Sequence, residues 1–98
     1  MRDRIAVAFG RVLKTAREAA GLTQQALAVG ARMDRTYPSL LERGLRTPTL
    51  STLVSLAPSL GVAPAALVIR TQVQLRRLPK RTERKRASRH KRSRSKRY

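Results

Sequence analysis

The sequence predicts a small all-α fold of five helices followed by a basic tail. Three observations lead there. Apolar residues recur at helical spacings between positions 9 and 69, and no run alternates as a half-buried strand would. Gly21, Gly44 and Gly61 punctuate these stretches where helices would stop. Charge is segregated: residues 1–69 hold nine basic and four acidic side chains, whereas residues 70–98 hold fourteen basic and one acidic. A chain of 98 residues has room for one such domain and a tail.

In the first segment Phe9, Leu13, Ala16 and Ala20 share a helical face, with Arg11, Lys14, Thr15 and Glu18 around the rest. Gly21 suits the position after the helix, where positive φ is common. Thr23 is placed to cap a second helix whose inward positions are Leu27, Ala28 and Ala31. The pair Arg32-Met33 turns the chain toward Asp34, another capping residue type, and a third helix is expected from about Arg35 to Arg43. Residues 44–50 form a loop with Pro48. Thr49 then caps a fourth helix with an apolar stripe of Leu50, Leu53, Leu56, Ala57 and Leu60, ended by Gly61. Pro64 opens a short fifth helix ending near Leu67 or Ile69.

The domain is therefore expected over 1–69. Residues 70–78 read as a helical extension or linker, because Val73, Leu75 and Leu78 give weak periodicity. Residues 79–98 are Lys, Arg and Ser with almost nothing apolar. Such a segment buries too little surface to offset its ordering entropy, and disorder is expected.

Composition removes several functions. Cysteine is absent, so there is no disulfide, thiol nucleophile or thiolate metal site. The one histidine, His90, lies in the polar tail, and the carboxylates Asp3, Glu18, Asp34, Glu42 and Glu83 form no plausible catalytic pair. No enzyme activity, metal or cofactor is expected. Apolar runs fall far short of the ~20 residues of a membrane span. The stretch Ile5 to Phe9 is too short for a signal peptide, so the cytoplasm, with nucleoid association, is the expected compartment. A formal charge of +18 points to a polyanionic partner, and nucleic acid is the abundant one.

The second and third segments form a short helix, a turn and another short helix. The run Gly21-Leu22-Thr23-Gln24-Gln25, with Leu27-Ala28, resembles the second-helix signature of the Cro/C1-type (XRE-like) helix-turn-helix family. Asp34 to Gly44, closing on Glu42-Arg43-Gly44, resembles that family's recognition helix. Arg46-Thr47-Pro48-Thr49-Leu50 and Leu53 to Val62 resemble its fourth helix, and the match spans about residues 9–68. The resemblance implies a five-helix lambda-repressor-like DNA-binding domain whose third helix enters the major groove.

On that implication Arg35, Thr36, Ser39 and Leu40, which share a face, are the base-contact candidates. Arg35 can fork onto guanine O6 and N7, worth ~1–3 kcal/mol of discrimination. Leu40 can meet only a thymine methyl, or else is buried. Pro38 and Leu41 fall on the opposite, inward face. Thr23, Gln24, Tyr37, Arg43, Arg46 and Thr47 are the phosphate-contact candidates. The resemblance also implies an ion pair between Arg17 and Glu42, tying the first helix to the third.

Three residues depart from the family pattern. Pro38 stands where a branched apolar residue is usual. It either deletes the first hydrogen bond of a helix capped by Asp34 or sits in the free first turn of one starting at Thr36, which would leave Arg35 outside. Arg32 replaces a turn glycine, so positive φ there would be costly. Pro58 lies inside the fourth helix and removes its bond to Val54.

The tail holds eleven Lys/Arg between 80 and 97, among them Lys80, Arg81, Arg84, Lys85, Arg86, Arg89, Lys91 and Arg92. These are expected to bind phosphates without sequence choice, through counterion release. The resulting expectation is a sequence-specific regulator of double-stranded DNA, acting as a homodimer because one short helix reads few base pairs. Ala65, Ala66, Leu67, Val68, Ile69 and Val73 are the apolar candidates for the dimer surface. The rival readings are an antitoxin-type module with a protein partner and a non-specific nucleic-acid binder.

Overall fold

The computed structural model describes residues 3–79, five helices with no strand among the described residues. They are α1 (Arg4–Ala19), α2 (Gln24–Ala31), α3 (Tyr37–Glu42), α4 (Leu50–Leu60) and α5 (Pro64–Arg77). The tail candidates Lys80, Arg81, Arg84, Lys85, Arg86, Arg89, Lys91 and Arg92 lie outside the described residues.

Each helix start has a local cause. The Asp3 carboxylate accepts the Ile5 N–H at 2.9 Å, and the Thr23 hydroxyl accepts the Ala26 N–H at 3.0 Å. Thr49 and Thr52 form a reciprocal capping box on α4, and Pro64 stands in the first turn of α5. Gly21, Gly44 and Gly61 all take positive φ, as expected for left-handed stops.

One core unites the helices. Phe9, Val12, Leu13 and Ala16 of α1 meet Leu27 and Ala31 of α2, Leu41 of α3, Leu56, Ala57 and Leu60 of α4, and Leu67 of α5. Truncating a fully buried leucine such as Leu27 or Leu56 should cost ~2–5 kcal/mol, a large share of a small domain's stability. Helix α1 lies between α3 and α5, while α2 packs on both α3 and α4.

Several expectations are corrected. Helix α3 does not span Arg35 to Arg43 but Tyr37–Glu42, with Thr36 at its cap position and Pro38 in its first turn. The proline thus needs no N–H, and Arg35 stands ahead of the helix. The turn before α3 runs over residues 32–36, longer than a minimal helix-turn-helix turn. Helix α5 does not end at Leu67 or Ile69; it continues to Arg77, through the stretch expected as a helical extension or linker. Leu78, just beyond it, is buried. Leu50 lies at the first turn of α4 and is 76% exposed, outside the core stripe, and Ala20 is an exposed cap. Leu67 is fully buried and belongs to the core, not to a free dimer surface. Arg32 adopts φ 57° and ψ 48°, the left-handed conformation that is costly for a residue other than glycine.

Candidate nucleic-acid interface

The interface is built from the α2–α3 turn, α3 and the α3–α4 loop. Arg35 and Thr36 are exposed at the mouth of α3, while Ser39 and Leu40 are half-buried one turn later. The backbone already winds helically here: Leu40 N–H donates to Thr36 C=O at 3.2 Å and Tyr37 N–H to Asp34 C=O at 3.0 Å. The four base-contact candidates therefore remain near one another despite the late helix start. Pro38 and Leu41 are buried on the inward side, as expected from the spacing.

Asp34 shapes this turn without capping α3. Its carboxylate accepts the Thr36 N–H and the Thr36 hydroxyl, both at 3.1 Å. Those hydrogen bonds, backbone first, hold the Asp34 carboxyl below the ordinary aspartate range, with the nearby Arg35 charge adding a smaller pull. The Thr36 hydroxyl proton is thereby used, and its remaining lone pairs face outward as acceptors.

Beneath the exposed face lies an ionic clamp. Arg17 Nε donates to Glu42 Oε2 at 2.6 Å and Arg17 Nη2 to Glu42 Oε1 at 3.2 Å, a two-point fork. A third guanidinium nitrogen, Nη1, donates to the Leu22 carbonyl at 2.8 Å. The Glu42 side chain is only 4% exposed and that of Arg17 13%. The Glu42 hydrogen bond raises the Arg17 pKa against the opposing effect of burial, so the guanidinium stays charged. The sequence reading, which set Gln24 among the phosphate contacts, missed one member: Gln24 Nε2 also donates to Glu42 Oε1, at 2.9 Å. Gln24 thus braces α2 against α3, and its second amide proton is left to point elsewhere. Arg17, Gln24 and Glu42 fix the relative angle of the helix-turn-helix.

Gly10 completes the support. A Cβ at this position would stand 2.6 Å from the carbonyl oxygens of Leu41 and Glu42. Helix α1 therefore rests directly on the C-terminal backbone of α3. A lone glycine inside an otherwise helical pattern was the available signal for such an approach.

The remaining phosphate candidates ring this platform. Thr23 uses its oxygen lone pair for capping, which leaves its hydroxyl proton outward. Tyr37 packs partly on the core. Arg43 is exposed, as is Arg46, whose Nη1 donates to its neighbour's carbonyl, that of Leu45, at 3.1 Å. The Thr47 hydroxyl donates to Asp3 Oδ2 at 3.1 Å, so it is committed to the start of α1 and would have to leave it to meet a phosphate. Among the described residues no group of three or more His, Cys, Asp or Glu could hold a metal. No single described helix is long and apolar enough to cross a membrane.

A family profile described as a helix-turn-helix domain matches residues 8–68. The chain belongs to the helix-turn-helix domain family. An uncharacterized HTH-type transcriptional regulator of Sinorhizobium fredii is 39% identical over 71 residues, covering 72% of this chain and 87% of the relative. The restriction-modification controller protein C.AhdI of Aeromonas hydrophila superposes with a TM-score of 0.61 at 39% identity, over 63% of this chain and 94% of that one. The controller protein C.Esp1396I, solved as a tetramer on its natural 35-base-pair operator, superposes with a TM-score of 0.65 at 28% identity, over 72% of this chain and 93% of that one. These likenesses place this helix-turn-helix protein among Cro/C1-type transcriptional regulators with a lambda-repressor-like, all-α domain.

Proposed function

We propose that the protein is a sequence-specific regulator that reads the major groove of double-stranded DNA with the start of α3. The observation that carries this reading is the exposed Arg35-Thr36 corner, held from below by the Arg17–Glu42–Gln24 clamp. An exposed guanidinium on a braced helix N-terminus is pre-organised to fork onto a guanine edge. Thr36, Ser39 and Leu40 then lie over neighbouring bases, Leu40 meeting a thymine methyl. Thr23, Gln24, Tyr37, Arg43 and Arg46 hold the flanking phosphates and set the register, and Thr47 joins them once its hydroxyl leaves Asp3. Lys80, Arg81, Arg84, Lys85, Arg86, Arg89, Lys91 and Arg92 supply affinity without sequence choice.

One copy covers only a few base pairs, so two copies on adjacent half-sites are needed for useful selectivity. The operator-bound tetramer of the related controller protein supports such multiple occupancy.

Selection of bound sequences from a random duplex pool tests this. The expected result is a two-fold symmetric site preferred over random duplex by ~10³ or more at ~150 mM salt. Arg35→Ala should relax preference at one base pair per half-site by ~1–3 kcal/mol. Equal retention of all duplexes would overturn the reading in favour of a non-specific binder.

A further inference from the structure

On the flank of the domain, α1 and α5 enclose a groove of about 250 Å³, lined by Arg11, Val12 and Thr15 from α1 and by Ile69, Arg70, Val73, Gln74 and Arg77 from α5. Its floor is apolar: Ile69 is 60% exposed and Val73 39%, with buried Val12 beneath. Its rim is cationic, formed by Arg11, Arg70 and Arg77. We infer that this groove docks an acidic amphipathic helix of a partner protein.

The charge arrangement carries the argument. Each described carboxylate is engaged elsewhere: Asp3 with Thr47, Glu18 with Arg17, Asp34 with Thr36, and Glu42 with Arg17 and Gln24. Among the described residues, Arg11, Arg70 and Arg77 have no ion pair or hydrogen bond. Three such guanidiniums around exposed branched side chains call for a ligand with carboxylates beside an apolar stripe. Arg70 and Arg77 are seven residues apart, about 10 Å along the helix. Val73 lies within that interval, and Ile69, one turn before Val73, lies just ahead of it. A helix with leucine-type residues on one stripe and acids flanking it over two to three turns matches both features.

Other occupants fit less well. A second copy of this chain would bring its own three arginines to the same surface, adding like charge to a chain already at +18. A nucleic-acid backbone gains nothing from the Val12, Ile69 and Val73 floor. Position also separates the groove from DNA. On α1, Gly10 and Arg17 face α3, while Arg11 lies about 100–120° and Thr15 about 140–160° round the helix from them. The groove therefore opens away from the recognition surface, and a partner can sit there while DNA is held.

The test uses the full chain, 15N-labelled, and an 18-residue synthetic helix with a leucine stripe flanked by glutamates. A second peptide carries glutamine at every glutamate. The acidic peptide should shift amide resonances of residues 11–15 and 69–77, and the glutamine peptide should bind at least tenfold more weakly. The exposed double substitution Arg70→Glu with Arg77→Glu should abolish those shifts while keeping the melting temperature and DNA site preference. Shifts confined to residues 80–98 or to the α3–α4 loop would overturn the inference. So would equal binding of both peptides, binding that survives the double substitution, or a change in oligomeric state or DNA preference caused by it.

Discussion

Arg32 is a non-glycine residue in the left-handed region, with φ 57° and ψ 48° at the end of α2. That conformation costs an L-residue roughly 1–2 kcal/mol, and glycine gives some of this back in unfolded-state entropy. Arg32→Gly should therefore stabilise the domain by about 0.5–1 kcal/mol, seen as a melting temperature a few degrees higher. A lower value would mean that the Arg32 side chain has a stabilising contact outweighing the strain. The opposite holds at Gly10, where a methyl group would meet the Leu41 and Glu42 carbonyls at 2.6 Å. Backbone atoms cannot swing aside, so Gly10→Ala should destabilise by about 1–3 kcal/mol, displace α3 and weaken DNA binding with it. Gly21→Ala, where nothing lies nearby, should pay only conformational strain, and melting curves of the two variants separate the causes. At Asp34 the folded pKa is depressed by the Thr36 bonds. Its contribution to stability is thus present above the unfolded value of about 3.9 and is lost as pH falls through the lower folded value. NMR titration of Thr36→Val should show the Asp34 pKa moving back up, because one of the two bonds is gone.

At the scale of elements, α3 has six residues, too few to hold its own orientation. The clamp from α1 and α2 supplies it. Arg17→Ala strands the Glu42 carboxylate, only 4% exposed, and should cost ~3–5 kcal/mol. Thermal stability should fall first and DNA binding as a consequence; normal melting with lost binding would show that Arg17 contacts DNA itself. Much of this architecture was legible beforehand. Thr23 and Thr49 pair a capping side chain with a following apolar period, so two independent signals mark one boundary. The start of α3 was not settled, because Asp34 and Thr36 are both capping types and Pro38 is tolerated in a first turn. The length of α5 was hidden for another reason. Val73, Leu75 and Leu78 give only weak periodicity, and the helix is supported by α1 and by Arg4, residues remote in sequence. The Gln24–Glu42 bond was equally invisible, since the spacing of Gln24 describes a helix start and says nothing of a carboxylate eighteen residues on.

At the scale of the whole molecule, the proposed function assigns selectivity and affinity to different parts of the chain. The domain offers the braced corner of α3, and the segment after Pro79 offers eleven of the 23 cationic side chains. Ending the chain after Pro79 keeps Leu78 in place. Each tail cation that meets a phosphate contributes about 0.9 to the slope of log K against log salt. The shortened protein should therefore bind more weakly, with a slope smaller by several units and an unchanged preferred site in a salt series. Loss of preference would make the tail the reader.

Where that cationic segment leaves the domain is itself fixed. Arg4 donates to the Leu75 carbonyl at 3.2 Å and to the Pro79 carbonyl at 2.8 Å, while the preceding Asp3 holds Thr47 of the α3–α4 loop. The two ends of the described domain are thus buttoned together beside the loop that follows α3. A purification tag or reporter joined ahead of Asp3 would stand close to Pro79, which Arg4 holds against the same end of the domain. Probes for imaging or immobilisation are better grafted at the exposed Ala20-Gly21 corner, where there is open space.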